Sequence, residues 1–393
     1  MEKKLFMIII CILAFGFISG CNKWNRTFGG SDGERAHDVQ QTSDGGYILA
    51  GYTLSFGAGD GNAWLIKTNA NGNKVWDRTF GGRAFDVANA VQQTNDGGYI
   101  LAGSTGPQST GYSDAWLIKT DAHGNKVWDK TFGGSSTDIA YPVQQTSDGG
   151  YILAGWTSSF GAGYEDAWLI KTDADGNKVS DKTFGGSNSD EVFSVHQTSD
   201  GGYILAGFTG SFGAGHDDAW LIKTDVDGNK VWDTTFGGSD RDGAYSVQQT
   251  SDGGYILAGS TGPTTGYSDA WLIKTDADGN KVWDTTFGGS HNDGAYAVQQ
   301  TSDGGYILAG RTTPSFGFGR HGDAWLIKTD ADGNKVWDRI FGGRFNGEAN
   351  AVQQTSDGGY ILAGYTCSFG AGGDDAWLIK TDAEGNAPPI PIP

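Results

Sequence analysis

Six carboxylates recur at one position of a repeating pattern: Glu34, Asp86, Asp138, Asp190, Asp242 and Asp293 each stand four residues beyond the last glycine of an F-G-G tripeptide. Gly347 breaks the series, with Glu348 beside it. Acids brought round a common axis form a donor set for a cation such as Ca²⁺, which takes several hard oxygen ligands. In a glycine-rich loop the same side chains have a second use, accepting hydrogen bonds from backbone N–H groups. A second variable position follows an A-G dipeptide and holds Tyr52, Ser104, Trp156, Phe208, Ser260, Arg311 and Tyr365. With Phe56, Phe160, Phe212, Phe316 and Phe369 a few residues on, these form either an aromatic surface for a glycan or protein ligand or a set of local packing contacts.

Other chemistry is sparsely supplied. His37, His216, His291 and His321 fall in segments read as loops, at unrelated positions of the pattern, and no two have ligand spacing. The repeated D-A-D-G-N, as at Asp173, Asp175 and Asn177, lacks the spacing and distal glutamate of an EF-hand and reads as a hairpin turn. H-E-x-x-H and phosphate-loop motifs are absent, and the single G-x-S-x-G match, Gly29 to Gly33, is part of the repeated F-G-G-S, which counts against an enzyme. The net charge of -19 argues against a nucleic-acid partner, which demands basic patches.

The elements that must position these residues follow from a repeat. S-D-G-G-Y-I-L-A-G at Ser43 to Gly51 returns six more times, once with Asn95 for the serine, and its tyrosines, from Tyr47 to Tyr360, are spaced 52, 52, 52, 52, 51 and 54 apart. Each repeat reads as four strands, as in A-H-D-V-Q-Q-T, Y-I-L-A-G-Y-T, A-W-L-I-K-T and K-V-W-D-R-T-F, joined by Asp-Gly and Asn-Gly turns that supply positive φ. Y-I-L-A-G and A-W-L-I-K do not alternate apolar with polar, so both faces of those strands are expected to be covered. Stacked blades cover them, and a four-stranded unit of this period is the signature of a β-propeller.

The mature chain opens on a lone copy of the fourth strand, Lys23 to Phe28, and its last repeat stops after the third, Ala376 to Thr381. The expectation is an all-β, closed seven-bladed β-propeller of four antiparallel strands per blade, with the N-terminal strand completing the last blade. It spans 21–386, and 387–393 is a proline-rich tail. The S-D-G-G and D-A-D-G-N turns then share a lower face. The loops after F-G-G and A-G-x-T share an upper face, where the variable residues collect.

Residues 1–20 read as a signal segment, with Lys3 and Lys4 ahead of an apolar run from Leu5 to Phe17. Ile18-Ser19-Gly20-Cys21 resembles a bacterial lipobox, which implies a lipid on Cys21 and an exported, extracytoplasmic protein anchored to a bacterial membrane. Cys11 leaves with the signal, so Cys367 is the one remaining thiol and no disulfide is expected.

The pattern D-A-W-L-I-K-T-D-A-D-G-N-K-V-W-D-T-T-F-G-G, followed by A-Y-S-V-Q-Q-T-S-D-G-G-Y-I-L-A-G, resembles the delta-type propeller repeats of bacterial surface proteins over essentially the whole mature chain. T-D-A-D-G-N-K-V-W is more distantly similar to quinoprotein-like propeller repeats, but the adjacent cysteine pair associated with quinone chemistry is missing. The five Trp-Asp pairs, such as Trp76-Asp77, have no preceding Gly-His and lie on the fourth strand, unlike a WD repeat. The resemblance implies a fold and no single function. The function expected is a monomeric, lipid-anchored binding or assembly scaffold using the upper face. The alternative is a glycan-binding protein or a polysaccharide-acting hydrolase or lyase with upper-face carboxylates.

Overall fold

The computed structural model describes residues 23–106, 112–263, 266–313 and 321–389. The signal segment, Cys21, Phe316 and the end of the tail lie outside them. Twenty-eight strands form seven four-stranded antiparallel sheets. The first blade holds β2 (Glu34–Gln41), β3 (Tyr47–Thr53), β4 (Asn62–Thr68) and β5 (Lys74–Phe80) in chain order. Five more blades repeat that order. The seventh runs β1-β28-β27-β26, with β1 (Trp24–Phe28) at the outer edge of β28 (Asp375–Thr381), Trp24 opposite Lys380 and Phe28 opposite Ala376. The chain is an all-β, closed seven-bladed β-propeller.

The second and third strands are buried over nearly their whole length, as their unbroken apolar sequences require. Ile48, Ala50, Ala63 and Leu65 of the first blade pack against Tyr99, Leu101, Trp116 and Ile118 of the next. Burying each leucine or isoleucine contributes about 2 kcal/mol. The last seam is closed in the same way, by Trp24, Ile361 and Leu378 against Tyr47, Leu49 and Trp64.

The polar letters of the repeat tie each blade together. Lys67 of A-W-L-I-K is buried and donates to Asp44 of S-D-G-G at 3.0 Å and to the Thr68 carbonyl at 2.8 Å. Burial opposes ionisation of Asp44, but hydrogen bonds from Thr42, Gly46 and Lys67 outweigh it and hold the carboxyl down to about 2. The Trp-Asp pair has a partner in the neighbouring strand, since the Trp64 indole donates to Asp77 at 3.1 Å.

Two belts of glutamine join the blades at the lower end of the inner strands. In one belt, Gln93, Gln145, Gln197, Gln249, Gln300, Gln354 and Gln41 each accept from a backbone N–H of the S-D-G-G turn in the preceding blade, at 2.8–3.0 Å, across all seven seams. In the other, Gln40, Gln92, Gln144, Gln248, Gln299 and Gln353 accept from the next blade's inner strand at 2.5–2.7 Å. His196 stands where the seventh glutamine of that belt belongs, and among the described residues no such clip reaches Gln249.

Candidate functional site

Around the axis the seven inner strands enclose a channel with a cavity of about 780 Å³. These strands are β2, β6 (Val87–Gln93), β10 (Asp138–Gln145), β14 (Asp190–Gln197), β18 (Arg241–Gln249), β22 (Gly294–Gln300) and β26 (Gly347–Gln354). Every one of them carries a β-bulge at the same place: in β2 the register against β3 slips between Ala36 and Asp38, and the other six slip correspondingly. The residue left over is His37, Asn89, Tyr141, Phe193, Tyr245, Tyr296 or Asn350, and all seven line the channel. A bulge re-aims a side chain that a regular strand would send elsewhere. Here it turns one residue per blade into the channel.

The glycine of Y-I-L-A-G is what the bulge demands of the neighbouring strand. A Cβ on Gly51 would lie 1.8 Å from the Arg35 carbonyl oxygen, and one on Gly207 would lie 1.8 Å from that of Glu191. No residue with a side chain fits there.

The seven bulge residues divide into two arcs. Tyr141, Phe193, Tyr245 and Tyr296, from four consecutive blades, form a continuous aromatic wall with centroids 5.1, 5.6 and 5.7 Å apart and planes tilted by 68°, 53° and 63°. Asn350, His37 and Asn89 complete the circle and are occupied by groups of the neighbouring blades. Asn350 Nδ2 donates to the Ala36 carbonyl, Asn89 Nδ2 to that of Ala140, both at 2.9 Å, and His37 Nδ1 meets Asn89 Oδ1 at 3.1 Å. Burial, helped by the Arg35 charge, pushes the His37 imidazole down to about 4, so it is neutral at ordinary pH.

Charged groups sit just above the arcs. Arg35 lies 3.9 Å over the Tyr365 ring and donates through Nε to Asp374 at 2.7 Å. Burial raises the Glu348 carboxyl, and Arg311 and Arg35 pull the other way. Burial, with Glu165 and Asp217 as neighbours, pushes Glu191 up to about 7. Burial pushes the Tyr365 hydroxyl up to about 12, Glu348 adding to it.

The residues after A-G form a layer one strand behind the channel wall. Tyr52 pairs with Arg35, Trp156 with Ile139, Phe208 with Glu191, Arg311 with Gly294 and Tyr365 with Glu348. Phe208 backs the aromatic arc at 5.9 Å from Phe193, and Tyr52 packs between His37 and Phe85. Arg311 and Tyr365 meet around Glu348. Phe56, Phe160, Phe212 and Phe369 rest on the tryptophans of their own blades, Trp64, Trp168, Trp220 and Trp377.

Each of the six recurring acids lies at or near the start of its own inner strand, outside the channel lining. Each accepts from the second glycine of its F-G-G at 2.7–3.0 Å. Asp138 and Asp190 also take the hydroxyls of Thr157 and Thr209, and of Ser159 and Ser211 at 2.7 Å. Among the described residues no group of three or more His, Cys, Asp or Glu is placed to hold a metal ion. Of the two readings of His37, a loop residue and a member of the strand A-H-D-V-Q-Q-T, the second holds: it lies within β2 on the channel, where the bulge puts it.

Sequence reasoning missed the aromatic arc. Two signals pointed to it: a lone glycine inside a strand, which marks a bulge or a close backbone approach, and a position that varies among otherwise repeated first strands.

No protein-family model matches the chain. An alignment 234 residues long, taking in 51% of this chain, is 28% identical to the regulatory protein FlaEY of Caulobacter vibrioides and covers 23% of that protein, so the match spans under a quarter of its length. Among solved structures, Sqt1 of Chaetomium thermophilum, bound to the N-terminus of ribosomal protein L10, superposes with a TM-score of 0.51 at 12% identity over 91% of this chain and 98% of its own. The Pan2 WD40 domain of Neurospora crassa gives 0.54 at 10% identity over 93% and 98%. At such identities the likeness is one of fold.

Proposed function

We propose that this chain is a binding scaffold that engages a protein partner at the upper mouth of the channel, exported and held outside the cytoplasm by a lipid on Cys21. The observation that carries the reading is the ring of bulge residues. The glutamine belts below it repeat from blade to blade, whereas the bulge positions differ in kind, and variation confined to one end of a rigid frame is how recognition is built. A protein as the ligand accords with Sqt1, a propeller solved with the N-terminus of another protein, and with the regulatory protein FlaEY. Export and anchoring rest on the signal-like residues 1–20 and on the lipobox resemblance ending at Cys21.

The glycan-binding or polysaccharide-acting alternative draws on the same aromatic arc and on Glu191 and Glu348. Their perturbing neighbours differ, Glu165 and Asp217 for one and Arg311 and Arg35 for the other. Two such separate groups suit binding better than a paired acid and base.

The test is crosslinking capture on living cells with the wild-type chain, the double variant Phe193→Ala/Tyr245→Ala and the outer-rim variant Val75→Ala. Capture lost only in the double variant supports the channel mouth. A captured species indifferent to it removes this reading. Cys21→Ser is expected to shift the protein from the membrane fraction to the soluble one, and a variant still membrane-bound would remove the anchor.

A further inference from the structure

The mouth of the channel is electrically lopsided. On the side of the first, sixth and seventh blades, Arg35 and Arg311 stand among Glu348, Asp374 and Tyr365, so charge is largely balanced. On the side of the third and fourth blades, Glu191 has Glu165 and Asp217 for neighbours. Asp217 is met by Arg241 at 3.6 Å, and Glu165 takes the Ser189 hydroxyl. Among the described residues no hydrogen bond or ion pair reaches the Glu191 carboxylate. It stands two residues before Phe193 on the same inner strand and opposite Phe208, whose ring lies 5.9 Å from that of Phe193, which places it at the edge of the aromatic arc. Three carboxylates against one arginine leave an excess of negative charge beside the Tyr141, Phe193 and Tyr245 rings, on a chain of net charge -19.

The geometry points to a cationic occupant: the partner presents a basic peptide segment, one of whose lysine or arginine side chains enters the channel along Tyr141, Phe193 and Tyr245 and ends at Glu191. This rests on the proposed protein-binding function and specifies what is bound. A row of rings tilted by 53° to 68° against each other offers no common flat platform of the kind a sugar stacks on. It offers several ring faces and edges round a hollow, and ring faces attract a cation through the aromatic quadrupole. The long apolar stem of lysine or arginine suits the arc while its head reaches the carboxylates. The glutamine belt below offers little to a cation, since its Oε1 atoms are taken by the next blade. The specificity therefore lies at the mouth.

The probe is a fluorescein-labelled ten-residue peptide alternating lysine and alanine, compared with the same peptide carrying norleucine or glutamate for lysine, in fluorescence polarisation with the purified full chain in detergent at physiological salt. Because an acidic protein attracts any polycation weakly, the deciding comparison is between variants. The lysine peptide is expected to bind, the other two not, and Phe193→Ala, Tyr245→Ala and Glu191→Gln each to weaken it about tenfold, with Val75→Ala unchanged. Circular dichroism of each variant checks that it is folded, and Phe193→Tyr is expected to keep binding. Norleucine binding as well as lysine, or folded channel variants binding like the wild type, overturns the inference. If those results come with crosslinking capture that still depends on Phe193 and Tyr245, only the cationic occupant falls. If capture is indifferent as well, the channel-mouth function falls with it.

Discussion

Glu191 shows how one side chain couples the site to stability. Its carboxyl rises from 4.5 to about 7 in the folded protein, through burial first and then Glu165 and Asp217. The folded state thus binds this proton more tightly than the unfolded chain does. Its contribution is complete below pH 4.5 and is lost as pH climbs through about 7. Glu191→Gln is accordingly expected to raise the melting temperature at alkaline pH and leave it nearly unchanged in acid; equal shifts at both ends would refute this account. His37 has the opposite sign. Depressed from 6.5 to about 4, it is protonated more readily in the unfolded chain, so it costs stability as pH falls across that window. His37→Asn should flatten the acid limb of the stability profile, read from urea midpoints at a series of pH values.

At the scale of the strand, the seams depend on single amide side chains. Removing a clip leaves a buried N–H unpaired, so Gln92→Ala is expected to cost about 1–2 kcal/mol in denaturant unfolding. His196→Gln supplies the missing seventh clip and is expected to gain up to about 1 kcal/mol. The order of strands, their pairing and the closure of the last blade by β1 were legible because hydrophobic runs, Asp-Gly turns and repeat spacing are local signals. The bulge was not, because a two-residue period carries no mark of one extra residue. Its indirect sign was the glycine of Y-I-L-A-G, such as Gly51 against the Arg35 carbonyl. Without the bulge, Tyr141, Phe193, Tyr245 and Tyr296 read as ordinary strand residues, and attention settles on Tyr52 and Phe208, which lie one strand behind. The recurring acids, equally conspicuous, were legible in position and ambiguous in purpose. In the folded chain they accept from glycine N–H groups, which is the loop tie.

At the scale of the whole ring, the closing strand is a noncovalent copy of an ordinary hairpin. The turn after β28 is already formed, with Asp382 N donating to the Asn386 carbonyl at 3.1 Å and Lys23 reaching Asp382 at 2.8 Å. In the first blade the equivalent residues, Asn73 and Lys74, are bonded neighbours. Joining Asn386 to Lys23 and opening the chain between Gly266 and Tyr267 is therefore expected to give a circular permutant with an unchanged circular dichroism spectrum. It should be at least as stable, since a loop-closure cost has been removed. A permutant that unfolds at markedly lower denaturant would count against the equivalence of the two joints.

That same joint orders events during folding. β1 precedes every other described strand and its partner β28 follows them all, so the ring stays open until β28 is available, and its closure spans the longest sequence separation in the fold. Meanwhile each third strand, from A-W-L-I-K-T of β4 onward, presents nearly the same edge that β1 is waiting for. Only the short covalent turn, which delivers each fourth strand first, keeps β1 from docking on the wrong blade. Near-identity of repeats therefore sets a kinetic hazard that the order of the chain resolves.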